Sequence, residues 1–226
     1  LPTILSRLSG VDVWNYGPTS GDVSIRGYSQ PMAPRQLVLV NGRQVYLDTY
    51  GYTAWQTLPI DISEIRQIEV VKGPNTALFG FNAASGVINI ITVDPAVVRG
   101  FSVTGSHGSQ NVRDHGFRTG GKLGEIGDFR FTCRQQNDDG LRDRYDWIDS
   151  YKSRLFDFRA DFALTDRDVL QLSAGHVEAV TQRGRLNTST WLSNPRNPIR
   201  DFNQTNTFFQ AQWRRSLSLN SDFQLR

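Results

Sequence analysis

Cysteine is almost missing: Cys133 is the only one among 226 residues. That excludes an intramolecular disulfide framework, and with it any zinc ribbon or cluster that needs several thiolates. Long apolar runs are missing too. The longest, such as Leu37–Val40 and Val87–Ile91, fall far short of the roughly 20 residues that a spanning helix needs. Leu1–Gly10 has neither the basic start nor the apolar core of a secretory signal. Charge of one sign is missing as well. Residues 1–98 carry six basic and seven acidic side chains, and residues 99–226 carry 19 and 15, with arginine and aspartate interleaved. A nucleic-acid footprint is a one-signed stripe, so the pI near 9.2 does not point to nucleic acid. There is no P-loop, no G-x-S-x-G and no G-x-G-x-x-G. His107, His115 and His176 have no metal-ligand spacing. Asp138, Asp139, Asp143, Asp146 and Asp149 share a stretch with Arg142 and Arg144, which reads as a solvated loop rather than a calcium site. Neither a cofactor nor an enzymatic activity is expected.

What is present divides near Asp94–Pro95. Before it, short helix and strand signals alternate. Pro2–Leu8 reads as a short helix with Gly10 after its end. Val11–Trp14 and Asp22–Arg26 read as strands, and Gln36–Val40 and Arg43–Leu47 flank Asn41–Gly42, a strong type I′ hairpin signal. Asp61–Glu64 suggests one helical turn before a strand at Ile65–Val71. Gly73-Pro74 breaks that strand and opens a short helix through Phe79. Gly86–Thr92 is a further strand, and Val70–Val71 and Val87–Ile91 are apolar enough for burial on both faces.

After Pro95 the hydrophobic period becomes two. Strands are expected at about 99–108, 113–124, 128–137, 152–164, 168–180 and 203–217, with a seventh from about 222. Phe129, Phe131 and Cys133 share one face, with Arg130, Thr132 and Arg134 on the other. Such strands exceed the usual ~5–6 residues of a globular sheet. One apolar and one charged face over that length suits a tilted strand crossing a bilayer. Tight turns at Gly124–Asp128, Thr165–Asp168 and Leu219–Asp222 alternate with the long polar loops Asp138–Tyr151 and Thr181–Phe202. Outer-membrane barrels have this asymmetry, with the short turns in the periplasm.

Three motifs carry a resemblance: Ser24-Ile25-Arg26-Gly27, Gln36–Arg43 (QLVLVNGR), and Glu64–Thr92 (EIRQIEVVKGPNTALFGFNAASGVINIIT). In this order and spacing the chain resembles the plug domain of TonB-dependent outer-membrane receptors. The resemblance implies an α+β plug domain over residues 1–97, followed by the N-terminal antiparallel strands of a transmembrane β-barrel over 98–226. Plugged barrels of this class have about 22 strands, so further strands are expected beyond Arg226, and a TonB box before Leu1. It also implies a lock in which Arg26 and Lys72 meet carboxylates on the inner barrel wall. Lys72 stands where the family often has arginine, and it cannot pair bidentately. Family plugs present loops toward the extracellular vestibule; here Tyr16, Gln30, Arg35, Tyr50, Tyr52 and Trp55 are the candidates for ligand capture. The implied partners are a TonB-type energy-coupling protein, a small-molecule or metal-chelate solute and outer-membrane lipid.

The function expected is energised uptake of a scarce, large solute: siderophore, cobalamin, haem or oligosaccharide. Two alternatives stay open. One is a surface binding or adhesive protein on a plugged barrel without import; the other is a soluble secreted β-rich binding module.

Overall fold

Asn41 and Gly42 both adopt positive φ, 48° and 75°, as a type I′ turn requires. They join β3 (Gln36–Val40) to β4 (Arg43–Gln44). The computed structural model describes residues 1–15, 21–27, 35–47, 51–140, 146–187, 190, 192–218 and 221–226, without the side chain of Phe81. Before β3 come α1 (Pro2–Leu5) and an antiparallel pair, β1 (Val11–Asn15) and β2 (Gly21–Ile25). After β4 come β5 (Ile65–Lys72), α2 (Thr76–Phe79) and β6 (Gly86–Thr92). The central sheet runs β4-β3-β6-β5, with β3 and β6 parallel and β5 antiparallel to β6.

This sheet is buried on both faces at its centre. Leu5, Val23, Ile25, Val38, Val40, Trp55, Ile88 and Ile90 pack on one face; Leu37, Leu39, Tyr46, Ala83 and Val87 pack on the other. Each fully buried Ile or Leu contributes about 1.5–3 kcal/mol. Two strand expectations are corrected. Strand β4 ends at Gln44 instead of Leu47, although the Val45 N–H still donates to the Val38 carbonyl at 3.0 Å and Val45 and Tyr46 stay buried, one in each cluster. Val70 and Val71 are not buried on both faces: β5 is the sheet's edge strand, and Val71 is 43% exposed.

A 3₁₀ turn at Pro95–Val97, capped by Asp94 accepting from the Ala96 N–H at 2.8 Å, leads into the second part. Its long strands are β7 (Gly100–His107), β8 (Arg113–Leu123) and β9 (Gly127–Asp138), and then, after the short β10 (Trp147–Ile148), β11 (Tyr151–Ala163) and β12 (Asp168–Asn187). The short β13 (Leu192–Ser193), β14 (Arg200–Ser218) and β15 (Ser221–Leu225) follow. The main path is β15-β14-β12-β11-β9-β8-β7, with every neighbouring pair antiparallel. This is an up-and-down wall whose tight turns after β8 and β11 sit at one end. The segments after β7, β9 and β12 sit at the other. Strand β12 continues past the expected residue 180, because Gln182 and Arg183 still pair with Asp201 and Arg200.

The alternation expected from the sequence is realised across the wall. Arg130, Thr132, Asp157, Arg159 and Ser173 face the plug and are buried. Phe101, Phe156 and Phe209 face away, at 77%, 47% and 72% exposure. Phe208 interrupts the apolar pattern of β14 on the inward side, and there it meets the plug through Arg43.

Candidate functional site

The plug meets the wall through a short acidic turn. Asp61 caps the 3₁₀ turn Ile62–Glu64 by accepting from the Ser63 N–H at 2.7 Å. This fixes Glu64 at the mouth of β5, where its backbone carbonyl accepts from Val93 N–H at 2.7 Å. The Glu64 side chain is fully buried against β8 and β9. Arg118 Nε lies 2.8 Å from Oε1 and Arg130 Nη1 lies 3.1 Å from Oε2. Thr132 donates its hydroxyl to Oε1 at 2.5 Å. Arg130, only 1% exposed, also donates to Asp157 at 2.7 Å and to the Val93 carbonyl at 3.2 Å.

Asp61 continues the network. Arg134 Nη1 reaches it at 2.7 Å, while Arg134 Nε donates to Asp114 Oδ1 at 2.6 Å. Burial pushes the Asp61 carboxyl up, but hydrogen bonds from Arg134 and Ser63 outweigh it and hold the group below its ordinary value. Lower on the wall, Arg159 donates to Thr92 Oγ1 at 2.9 Å and pairs with Asp161 at 2.6 Å. On the hairpin, Arg43 stacks on Phe208 with its guanidinium carbon 3.7 Å from the ring centre. Burial lowers the Arg43 pKa, and the field of Asp157 partly restores it. Arg118, Arg130, Arg134 and Arg159 thus pair with Asp61, Glu64, Asp114, Asp157 and Asp161, while Arg43 rests on the Phe208 ring. Buried ions are tolerable when they are paired and hydrogen-bonded.

Neutral bonds tie the other end of the wall. Tyr151 donates to the Gln56 carbonyl at 2.8 Å, Gln56 to Gln204 at 3.0 Å and Asn206 to the Thr57 carbonyl at 3.0 Å. Between these two levels a cavity of about 240 Å³ separates plug from wall; Trp55, Leu58, Asp61, Arg134, Gln136 and Tyr151 are among its lining residues.

The structure brings Arg26 and Lys72 to one exposed corner. Arg26 follows β2 with φ +58°, and its N–H donates to the Gly10 carbonyl at 3.0 Å. A side chain at Gly73 would approach its Nη1 to 3.3 Å. Lys72 donates to the Ser9 carbonyl. No carboxylate among the described residues pairs with either. Of the ligand candidates, Arg35 is exposed and its carbonyl accepts from the Ser85 hydroxyl and N–H, both at 2.9 Å. Tyr52 pairs with Leu47 in an isolated bridge. Trp55 is 8% exposed and packs in the plug core. Tyr16, Gln30 and Tyr50 lie outside the described residues. Sequence reasoning missed Asp61 and Glu64 as docking residues. The inward row of Arg130, Thr132 and Arg134 was the available signal, since that much buried positive charge demands anions from whatever fills the lumen.

Residues 1–87 match the family model of the TonB-dependent receptor plug domain. The vitamin B12 transporter BtuB of Photobacterium profundum is 32% identical over 143 residues, 62% of this chain. That of Vibrio cholerae is 30% identical over 146 residues, 64% of this chain. In both cases the chain spans only 23% of the relative's length. Among solved structures, the Pseudomonas aeruginosa FpvA complex with a ferric pyoverdine superposes at a TM-score of 0.74 and 17% identity, over 97% of this chain and 30% of that one. The ferric-catecholate import receptor Fiu of Escherichia coli superposes at 0.73 and 16%, over 99% and 34%. The structural neighbours establish the shared fold, and the family match establishes the lineage of the first part: residues 1–87 belong to the TonB-dependent receptor plug domains, and antiparallel strands with the fold of those receptors follow them.

Proposed function

We propose that the full-length protein is an outer-membrane transporter in which this plug gates a barrel for energised uptake of a scarce, large solute. The carrying observation is the division of the wall into an apolar outward face and a polar inward face satisfied by the plug. An apolar exterior and a polar, plugged interior suit a bilayer-spanning barrel, whereas a soluble module would bury its phenylalanines. The relatives named as vitamin B12 transporters and the neighbours named for ferric pyoverdine and ferric catecholate favour a cobalamin or metal-chelate solute. Arg35 and Tyr52, with Tyr16, Gln30 and Tyr50, are assigned to solute capture on the plug, while Trp55 packs in the plug core, and Arg26 and Lys72 are assigned to pairing with carboxylates of strands beyond residue 226. Import proceeds by pulling from a TonB-type partner, which breaks the plug's polar contacts with the wall; no covalent step is involved. The test is uptake of labelled cyanocobalamin and a panel of ferric siderophores by cells expressing the full-length protein, with and without the coupling protein. Accumulation of one solute that vanishes without coupling supports the reading. Surface binding without accumulation favours the adhesive alternative.

A further inference from the structure

The outward face of the wall changes character along its height. Ladder register places Leu123, Gly127, Phe162, Leu170 and Trp213 in one row near the tight turns. Phe101, Phe131, Phe158 and Phe209 follow two rows higher. Above Phe117 and Phe156 the phenylalanines stop. The next two rows carry His115 and Arg154, then His107, Arg113 and Lys152. Along β9 the first and last of these rows are separated by the stretch from Gly127 to Asn137. At about 3.4 Å per residue and a tilt of about 40°, that is about 25 Å along the membrane normal, the height of a barrel's apolar band. The basic rows therefore sit where the outer leaflet's hydrocarbon gives way to headgroups.

Their charges are available. Arg113, Lys152 and Arg154 are exposed, and among the described residues none of them lies in an ion pair. Arg118, Arg130, Arg134 and Arg159 on the inward face are all paired. The one acidic side chain in the two basic rows, Glu178, lies opposite Arg154 in the ladder but reaches His176, at 3.4 Å. A shallow depression of about 430 Å³ lies at this level, with Asn137, Lys152, Arg154 and Glu178 in its lining. Unpaired cations held at the edge of an apolar band, with their stems lying over lipid, are placed to meet anionic headgroups.

We propose that this belt is a binding site for the phosphate groups of a phosphorylated glycolipid in the outer leaflet. Arg113, Lys152 and Arg154 supply the charge, and His107 and His115 supply hydrogen bonds. The proposal rests on the outer-membrane reading, and its test separates the two. Full-length receptor is purified in detergent and its heat-modifiable mobility recorded, which reports a closed barrel. It is then titrated with diphosphoryl lipid A in mixed micelles, and retained lipid is counted by native mass spectrometry. The variant Arg113→Gln/Lys152→Gln/Arg154→Gln should retain the lipid about a hundredfold more weakly. A charge-matched control at the opposite end, Lys122→Gln/Arg167→Gln/Arg214→Gln, should behave as wild type, and excess inorganic phosphate should not displace the lipid. Equal retention by both variants from heat-modifiable protein, or displacement by free phosphate, overturns the belt while leaving the membrane reading intact. Protein that forms no heat-modifiable barrel overturns both.

Discussion

Replacing Glu64 by alanine removes the anion at the centre of the docking network. Two arginines and one hydroxyl then lose their acceptor. Thr132 is buried and has no other hydrogen-bond acceptor among the described residues. Arg130 keeps Asp157 at 2.7 Å and the Val93 carbonyl, so its charge is only partly stranded. Arg118, with 28% of its side chain exposed, can turn to water. Stranding a buried ion costs about 3–5 kcal/mol, and these two reliefs place Glu64→Ala near the lower limit, at about 3 kcal/mol. At 1.4 kcal/mol per decade, local opening of the plug margin should become about a hundredfold more frequent. Glu64→Gln keeps an acceptor for Thr132 and should cost about half as much. The assay is amide hydrogen exchange on the full-length receptor, followed at Thr92–Val93, whose N–H groups bond to Asn41 and Glu64. Exchange there that is unchanged in Glu64→Ala would refute the claim that the ion network holds the plug to the wall.

Three further outcomes are expected. Asp61, whose carboxyl is held below its ordinary value, stabilises docking fully above about pH 4 and loses that contribution as pH falls through its lowered folded value; acid-induced exchange of the turn should therefore be steep in wild type and flattened in Asp61→Asn. A side chain at Gly175 would collide with the Phe208 ring and come to 3.0 Å from the Pro59 carbonyl, so Gly175→Leu should push the plug from the wall at a cost of about 1–3 kcal/mol, read as increased entry of a large antibiotic. Phe209, 72% exposed on the lipid face, should tolerate leucine, whereas Phe209→Arg should cost about 2–4 kcal/mol at mid-bilayer depth and reduce the heat-modifiable fraction.

The wall was legible in the sequence because its outward and inward faces demand opposite chemistries of alternate residues. Phe129, Arg130, Phe131 and Thr132 announce both faces within four positions. The Asn41–Gly42 turn was legible because positive φ at two successive positions narrows the residue choice. Strand β4 was overextended because Val45 and Tyr46 stay apolar and buried after the ladder ends at Gln44, and nothing local marks that end. The exposed edge at Val71 was hidden because an edge strand and a central strand can be equally apolar. The docking network was hidden for a different reason. Glu64 meets Thr132 across 68 positions and Asp61 meets Arg134 across 73, and only the folded wall sets those partners side by side. Sequence motifs pointed instead to Arg26 and Lys72, which share an exposed corner of the plug where no carboxylate among the described residues pairs with either.

Membrane topology is the claim on which plug, wall and belt all depend, and cysteine accessibility measures it directly. In a Cys133→Ser background of the full-length protein, single cysteines are placed at Glu125 and Asp166 in the tight turns, and at Gln110 and Arg196 in the connections at the opposite end. All four positions are exposed. Intact cells are treated with a membrane-impermeant maleimide, before and after permeabilising the outer membrane. Labelling of Gln110→Cys and Arg196→Cys on intact cells, with Glu125→Cys and Asp166→Cys reactive only after permeabilisation, is the expected result. Labelling of the turns but not of the opposite connections on intact cells would contradict it.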